Sequence, residues 1–288
     1  MTAFDGQVAA VTGAGSGIGR ALALELGDRR AKLAISDINA ETLAQTAESL
    51  RRKGSEVYAQ TVDVADAAAL LDHAHSVADQ FGAVNQIYNN AGIAFSRSIL
   101  ESDVEDYQRV LDINLLGVIN GTKAFLPHLI ESGNGHVVNI SSLNGFLAQG
   151  LASHYCAAKF AVRGFTESLN IEMIEGGYPV RVTCVHPGGV RTNIADNAVQ
   201  IAVDAGYELS ASEEARRVAY NDRLLKMSPG EAATTILRGV ARNKSRVLVG
   251  RDSKGLDFLV RQFPSSYGRT VARVSGRLGL SSNADENR

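Results

Sequence analysis

Cysteine is nearly absent. Cys156 and Cys184 are the only two in 288 residues, too few for a disulfide framework, and no Cys/His cluster has the spacing of a metal site. No metal is therefore expected. Neither sign of charge is in excess: the net charge of −2 gives no electrostatic reason to bind nucleic acid. No apolar run is long enough to span a bilayer. Residues 1–6, MTAFDG, have neither a basic n-region nor an apolar h-region, so a secretory signal is not expected and the cytoplasm is the expected compartment. What remains is 45% hydrophobic and 21% charged, the balance of a soluble globular protein.

The first positive signal is a glycine loop. Residues 7–11, QVAAV, read as a short buried strand that runs into Thr12-Gly13-Ala14-Gly15-Ser16-Gly17-Ile18-Gly19, and a helix-forming run from Arg20 to Arg30 follows. Strand, glycine loop and helix is the context of a dinucleotide-binding turn. Small residues let the backbone approach a pyrophosphate, and the helix start offers its unpaired N–H groups to that anion. A second apolar strand, Lys32 to Ser36, ends at Asp37, eighteen residues beyond Gly19. A carboxylate there can accept from both adenosine ribose hydroxyls and repels a 2′-phosphate. With no positive charge at Ser16, the pattern favours NAD over NADP. A turn or cap aspartate is the other reading of Asp37, although Asn39 can serve as that cap.

Helices and strands go on alternating: helix 41–53, strand 56–62 ending at Asp63, helix 66–81, strand 84–88 ending at Asn89-Asn90-Ala91-Gly92, and a long helix over 104–132. Strand 136–140 delivers Ser141 and Ser142, helix 152–175 follows, and strand 180–185 ends at His186-Pro187-Gly188-Gly189-Val190-Arg191-Thr192. This alternation predicts an α/β fold, a doubly wound parallel sheet of Rossmann type with ligands at the carboxyl ends of the strands. Asp63, Asn89, Gly92, Ser142 and the glycine loop all fall at or just after such ends. Asn114, in apolar surroundings within the long helix, is expected to be buried and to need partners for its amide.

Tyr155 and Lys159, four apart on the helix after Ser142, share one face. A free tyrosine is a poor base at neutral pH, and a cation beside it is expected to lower its pKa. A hydroxyl from Ser142 can bond the oxygen whose charge changes. Tyrosine and lysine at this spacing also occur as a packed ring and a solvated charge, so the pair alone decides little.

Taken together, Thr12-Gly13-x3-Gly17-x-Gly19, Asn89-Asn90-Ala91-Gly92, Asn114, Ser142, Tyr155-x3-Lys159 and Pro187-Gly188-x-Val190-x-Thr192 resemble the short-chain dehydrogenase/reductase superfamily, in its one-domain branch, over about residues 5 to 250. The resemblance implies that Tyr155 is the general acid–base residue, with Ser142, thirteen residues before it, bonding the substrate oxygen. Lys159 is implied to bond the nicotinamide ribose and Asn114 to hold a water in a proton relay. It also implies that Asp63 and Val64 meet the adenine, Asn90 the neighbouring ribose, and Val190 and Thr192 the carboxamide and diphosphate side of the nicotinamide. Ala91, Gly92, Pro187 and Gly188 complete the cofactor set. Homodimers or homotetramers, paired through the helices around Asn114 and Tyr155, are implied as well.

The resemblance implies that residues 193–227 are a substrate lid, apolar at Ile194, Val199, Ile201, Val203 and Tyr207; these residues read equally well as packing on their own subunit. Asn144, Phe146, Gln149 and Gly189 are expected at the substrate pocket; His154 reads as a surface or packing residue. The expected activity is NAD(H)-linked interconversion of a lipophilic secondary alcohol and a ketone. The competing readings are an NADP-linked carbonyl or 3-oxoacyl reductase and a dinucleotide sensor without turnover. Domain bounds of 1–250 for the core leave 251–288 as a C-terminal extension. Leu256, Leu259, Val260 and Phe263, then Tyr267, Val271, Val274 and Leu278, predict two amphipathic helices split by Pro264. They are expected either to dock on the body or a sister subunit, or to lie on a membrane surface.

Overall fold

The computed structural model describes residues 3–192, 207 and 210–281. Seven strands, β1 (Val8–Thr12), β2 (Lys32–Asp37), β3 (Val57–Thr61), β4 (Gln86–Asn89), β5 (Gly135–Ile140), β6 (Val180–Pro187) and β7 (Arg246–Val249), form one sheet in the order β3-β2-β1-β4-β5-β6-β7. Every neighbouring pair is parallel. The strand order reverses between β1 and β4, and a doubly wound sheet opens its ligand crevice at that reversal.

The helices are α1 (Gly17–Asp28), α2 (Ala40–Arg52), α3 (Ala67–Phe81), α4 (Val104–Leu111), α5 (Gly117–Glu131), α6 (Ser153–Glu175), α7 (Ala211–Leu224), α8 (Pro229–Ala241), α9 (Arg251–Gln262) and α10 (Tyr267–Arg277). Side chains alternate across each strand, so Ala9 and Val11 of β1 join one core layer and Val8 and Ala10 the other. The first layer packs Leu22 and Leu26 of α1, Leu43 and Leu50 of α2, and Ile236 and Leu237 of α8. Leu70 of α3, Phe125 and Leu129 of α5, and Leu169 of α6 fill the second. Helix starts follow local chemistry. The Asn39 side chain accepts from the Thr42 N–H, Asp66 caps α3, and Ser228 with Glu231 forms a capping box ahead of Pro229.

Two features depart from the sequence reading. α1 begins at Gly17, inside the glycine loop, rather than at Arg20. The helix expected over 104–132 is three pieces, because a π turn, Asp112–Leu116, separates α4 from α5. Asn114 sits in that turn and clasps the backbone of Ile93, donating to its carbonyl and accepting from its N–H, both at 2.8 Å. A π turn accommodates one extra residue and so aims the amide at that loop. Of the expected lid, Ile194, Val199, Ile201 and Val203 lie outside the described residues, and α7 falls within its second part.

Candidate active site

The glycine loop is held from behind. Thr12 Oγ1 accepts from the N–H groups of Asn90 (3.0 Å) and Ala91 (3.1 Å), and the Asn90 amide donates to the carbonyls of Thr12 (2.9 Å) and Gly13 (3.2 Å). The Asn90 side chain is thus committed to the loop. Gly13 has φ +66°, and a Cβ there would lie 2.8 Å from Ala91 Cα. A Cβ on Gly19 would strike the Gly13 carbonyl, so only glycine lets α1 start so close to β1. Ser16 is the N-cap of α1, and its side chain makes no capping bond. The first N–H groups of α1, near Gly17 and Ile18, therefore face the crevice, as a diphosphate requires.

Asp37 closes the other side. Its carboxylate accepts from the Gly15 N–H (2.8 Å) and the Asn39 N–H (2.9 Å), while Asn39 takes the cap of α2. The helix cap is therefore taken by the neighbour, while Asp37 keeps a turn contact with Asn39 alongside its hold on Gly15. Asp63 ends beside β3 with its carboxylate on the Ala65 N–H (2.9 Å), and Val64 is buried against Gly117. Thr192 stands at Gly17, where a Cβ would meet its Cγ2 at 3.2 Å. This loop, carboxylate and apolar floor fit a dinucleotide.

The titratable cluster sits at the ends of β4 and β5. The Tyr155 hydroxyl lies beside the Ser142 side chain, which pulls its pKa down, and Ser142 Oγ accepts from the Asn144 N–H (3.1 Å). Lys159, 3% exposed, donates to the Ile140 carbonyl at 3.0 Å. Gly92 brings Asn114 and Lys159 together: a Cβ there would lie 3.0 Å from Asn114 Oδ1 and 3.6 Å from Lys159 Nζ. The expected lowering of the Tyr155 pKa by Lys159 is not found. The ammonium is turned to Ile140 and lies 5.7 Å from the tyrosine ring centroid. Burial raises the Tyr155 pKa against the weaker pull of the Ser142 side chain. Burial also lowers Lys159 to about 8, which still leaves it mostly protonated at neutral pH.

Several residues that hold this cluster carried no motif signal. His186 Nδ1 lies 2.9 Å from the Ser142 carbonyl; a carbonyl only accepts, so Nδ1 carries the proton. Burial keeps that imidazole neutral, with a pKa of about 4. Behind the strands, Asn89 donates to Thr122 (3.0 Å) and to Asn139 (2.8 Å), and Asn139 donates to Thr166 (3.0 Å). This buried polar chain ties β4, β5, α5 and α6, and is detectable only as polar residues in otherwise apolar strands. His154 is fully buried against Phe95 and Tyr107; it is a packing residue and not a surface one.

Around the expected substrate pocket, the Asn144 amide donates to the Leu147 carbonyl (3.1 Å) and to Gln149 Oε1 (3.1 Å). Phe146 is buried, edge-on to His186 at 5.3 Å and under the Arg246 guanidinium at 5.4 Å. Its ring therefore supports the loop from within, and Gln149 is the more open of the two. The Gly189 N–H donates to Asp252 at 2.7 Å and its carbonyl accepts from Lys226 and Met227. Ser253 donates to the His186 carbonyl at 2.9 Å. The C-terminal extension thus fastens the loop that carries Pro187, Gly188 and Val190. Among the described residues no group of three acidic, histidine or cysteine side chains could hold a metal, and no helix is long and apolar enough to cross a membrane.

Comparison with known proteins places this geometry. Residues 7–201 match the short chain dehydrogenase family. The chain is 49% identical over 274 residues to SadH of Mycobacterium tuberculosis, by its description an oxidoreductase, covering 94% of this chain and 96% of that one. It is 34% identical over 192 residues to the 2,5-dichloro-2,5-cyclohexadiene-1,4-diol dehydrogenase LinX of Sphingobium indicum, covering 67% and 76% of the two chains. A crystal structure of a short chain dehydrogenase/reductase from Burkholderia phymatum in complex with NAD superposes with a TM-score of 0.85 at 30% identity, covering 92% of this chain and 96% of that one.

Proposed function

The chain belongs to the short-chain dehydrogenase family of oxidoreductases, and on that footing we propose that it interconverts a lipophilic secondary alcohol and a ketone with NAD(H). The observation that carries the reading is the joining of Tyr155, Ser142, Lys159 and Asn114 at one strand end, opposite the glycine loop. A bound nicotinamide supplies or accepts the hydride. The protein's own residues manage the proton and the position. Tyr155 gives its proton to the ketone oxygen, or takes it from the alcohol, and Ser142 bonds the same oxygen. Asn114 and Lys159, brought together at Gly92, line the route by which the proton reaches solvent.

Asp37 supports NAD. A 2′-phosphate beside this carboxylate meets like charge, and no arginine or lysine stands at Ser16 or Asn39 to offset it. Exposed Leu116, Phe160, Ile171 and Ile174 on and before α5 and on α6 support pairing of those helices in a homodimer or homotetramer.

The test is binding of NADH and NADPH to the purified protein, followed by turnover on a panel of aliphatic and cyclic alcohols and ketones. Tighter NADH binding with turnover of at least one member is expected. NADPH preference overturns the role given to Asp37, and cofactor binding without turnover across the panel overturns the enzyme reading.

A further inference from the structure

The extension after β7 has two chemically different sides. Its inner side fastens the active-site loops: Asp252 on Gly189, Ser253 on His186, and the buried Asp257 paired with Arg246 at 2.6 Å. Its outer side carries exposed Lys254, Phe258 and Arg261 on α9 and exposed Arg269, Arg273 and Arg277 on α10. The last three are spaced by four and form one row, opposite the half-buried Tyr267, Val271, Ser275 and Leu278. Their guanidinium groups make no ion pair or hydrogen bond with any described residue. From Phe258 to Ala284 the sequence has four arginines and no acidic residue; Arg261 is paired with Asp257 at 3.1 Å, which leaves the row on α10 as the uncompensated charge. Among them stand Phe258 at 66% exposure, Phe263 at 55% and Val274 at 46%.

We propose that this outer face of α9 and α10 docks on an anionic lipid bilayer. Arginines interleaved with exposed aromatic and aliphatic side chains match both parts of such a surface, headgroup charge and the acyl boundary. A nucleic acid or acidic protein surface matches the arginines but leaves both phenylalanines in water. A second copy related by a twofold axis sets the arginine row against itself. The position of the face gives docking a consequence. Tyr267 accepts from the Ala148 N–H at 3.4 Å, next to Gln149, and Arg223 of α7 donates to the Leu278 carbonyl at 2.8 Å. The docked edge is therefore the one beside the lid, where a lipophilic substrate leaving the bilayer meets the pocket.

The proposal does not depend on the oxidoreductase reading, because its test uses no substrate. The full chain is sedimented with vesicles of phosphatidylcholine alone and of phosphatidylcholine with phosphatidylglycerol, at low and high salt. Two variants accompany it, R269Q/R273Q/R277Q and F258S/F263S, each shown to be folded by circular dichroism and thermal melting. Co-sedimentation with the anionic vesicles, release by salt and weakening in both variants are the expected results. At about fivefold per arginine near an anionic surface, the triple variant's partition falls on the order of 100-fold. No co-sedimentation, equal partition of wild type and the triple variant, or equal partition to both vesicle types overturns the proposal. So does a change in oligomer size of the triple variant in sedimentation velocity, which assigns the face to a second copy.

Discussion

At the scale of single residues the site divides into groups that touch reactants and groups that hold those groups still. In the proposed mechanism Tyr155 belongs to the first. Tyr155→Phe removes the proton donor and leaves the glycine loop, Asp37 and Lys159 in place, so turnover is expected to fall about 10²- to 10⁴-fold with NADH affinity nearly unchanged. Single-turnover kinetics and cofactor titration check the two halves separately. His186 belongs to the second, since its Nδ1 proton fixes the Ser142 carbonyl. His186→Asn keeps a donor near that position and is expected to retain most of kcat, whereas His186→Leu loses it with little change in cofactor affinity. A purely structural histidine instead gives two variants that lose stability and activity in parallel. The motif residues were legible in the sequence because each is fixed by a short spacing. His186 was not, because its partner lies 44 positions away and nothing local announces a hydrogen bond between strand ends.

At the scale of elements, strands and helices follow the period of their apolar residues, and that is why the alternation, the parallel sheet and the two helices around Pro264 could be read in advance. The π turn could not. It depends on a loop, Ile93, that the asparagine reaches only after β4 and α4 have packed. The environment that sets the Tyr155 pKa is hidden from the sequence for a related reason. Sequence gives the spacing of Lys159, but the turn of its ammonium toward Ile140 and the extent of burial are tertiary facts. The clasp of α9 on the β6 loop is another such fact, and it is testable. Asp252→Ala leaves the Gly189 N–H without its carboxylate, at a cost of about 1 kcal/mol for a bond near the surface. Cofactor affinity is expected to weaken several-fold, with the glycine loop variantless and the catalytic residues intact. Unchanged affinity by titration shows that the clasp does not matter for binding.

At the scale of the whole molecule, buried histidines set the acid limit. Burial lowers His73 to about 4, His136 to about 3 and His186 to about 4. Unfolded, each takes its proton near pH 6.5. Between these values the unfolded chain binds more protons than the folded one, so stability is full above about pH 6.5 and falls as the pH drops toward each folded value. By pH 5 the loss is on the order of 2 kcal/mol per histidine. Thermal melts at pH 7 and pH 5 are expected to show a large drop in Tm, and replacing His73 with Gln is expected to reduce that drop. An identical Tm at the two pH values contradicts the burial argument.

The clasp of the extension on the active site also bears on the order in which the protein comes into being. A chain leaves the ribosome amino end first, so β1, the glycine loop and Asp37 are available to pair early in synthesis. Asp252 and Ser253, which secure Gly189 and His186, emerge after every motif residue. A nascent chain stalled before residue 251 already holds every motif residue yet lacks the two side chains that set the loop after β6. The fastening of the site therefore waits for the start of α9, whereas the glycine loop and Asp37 do not.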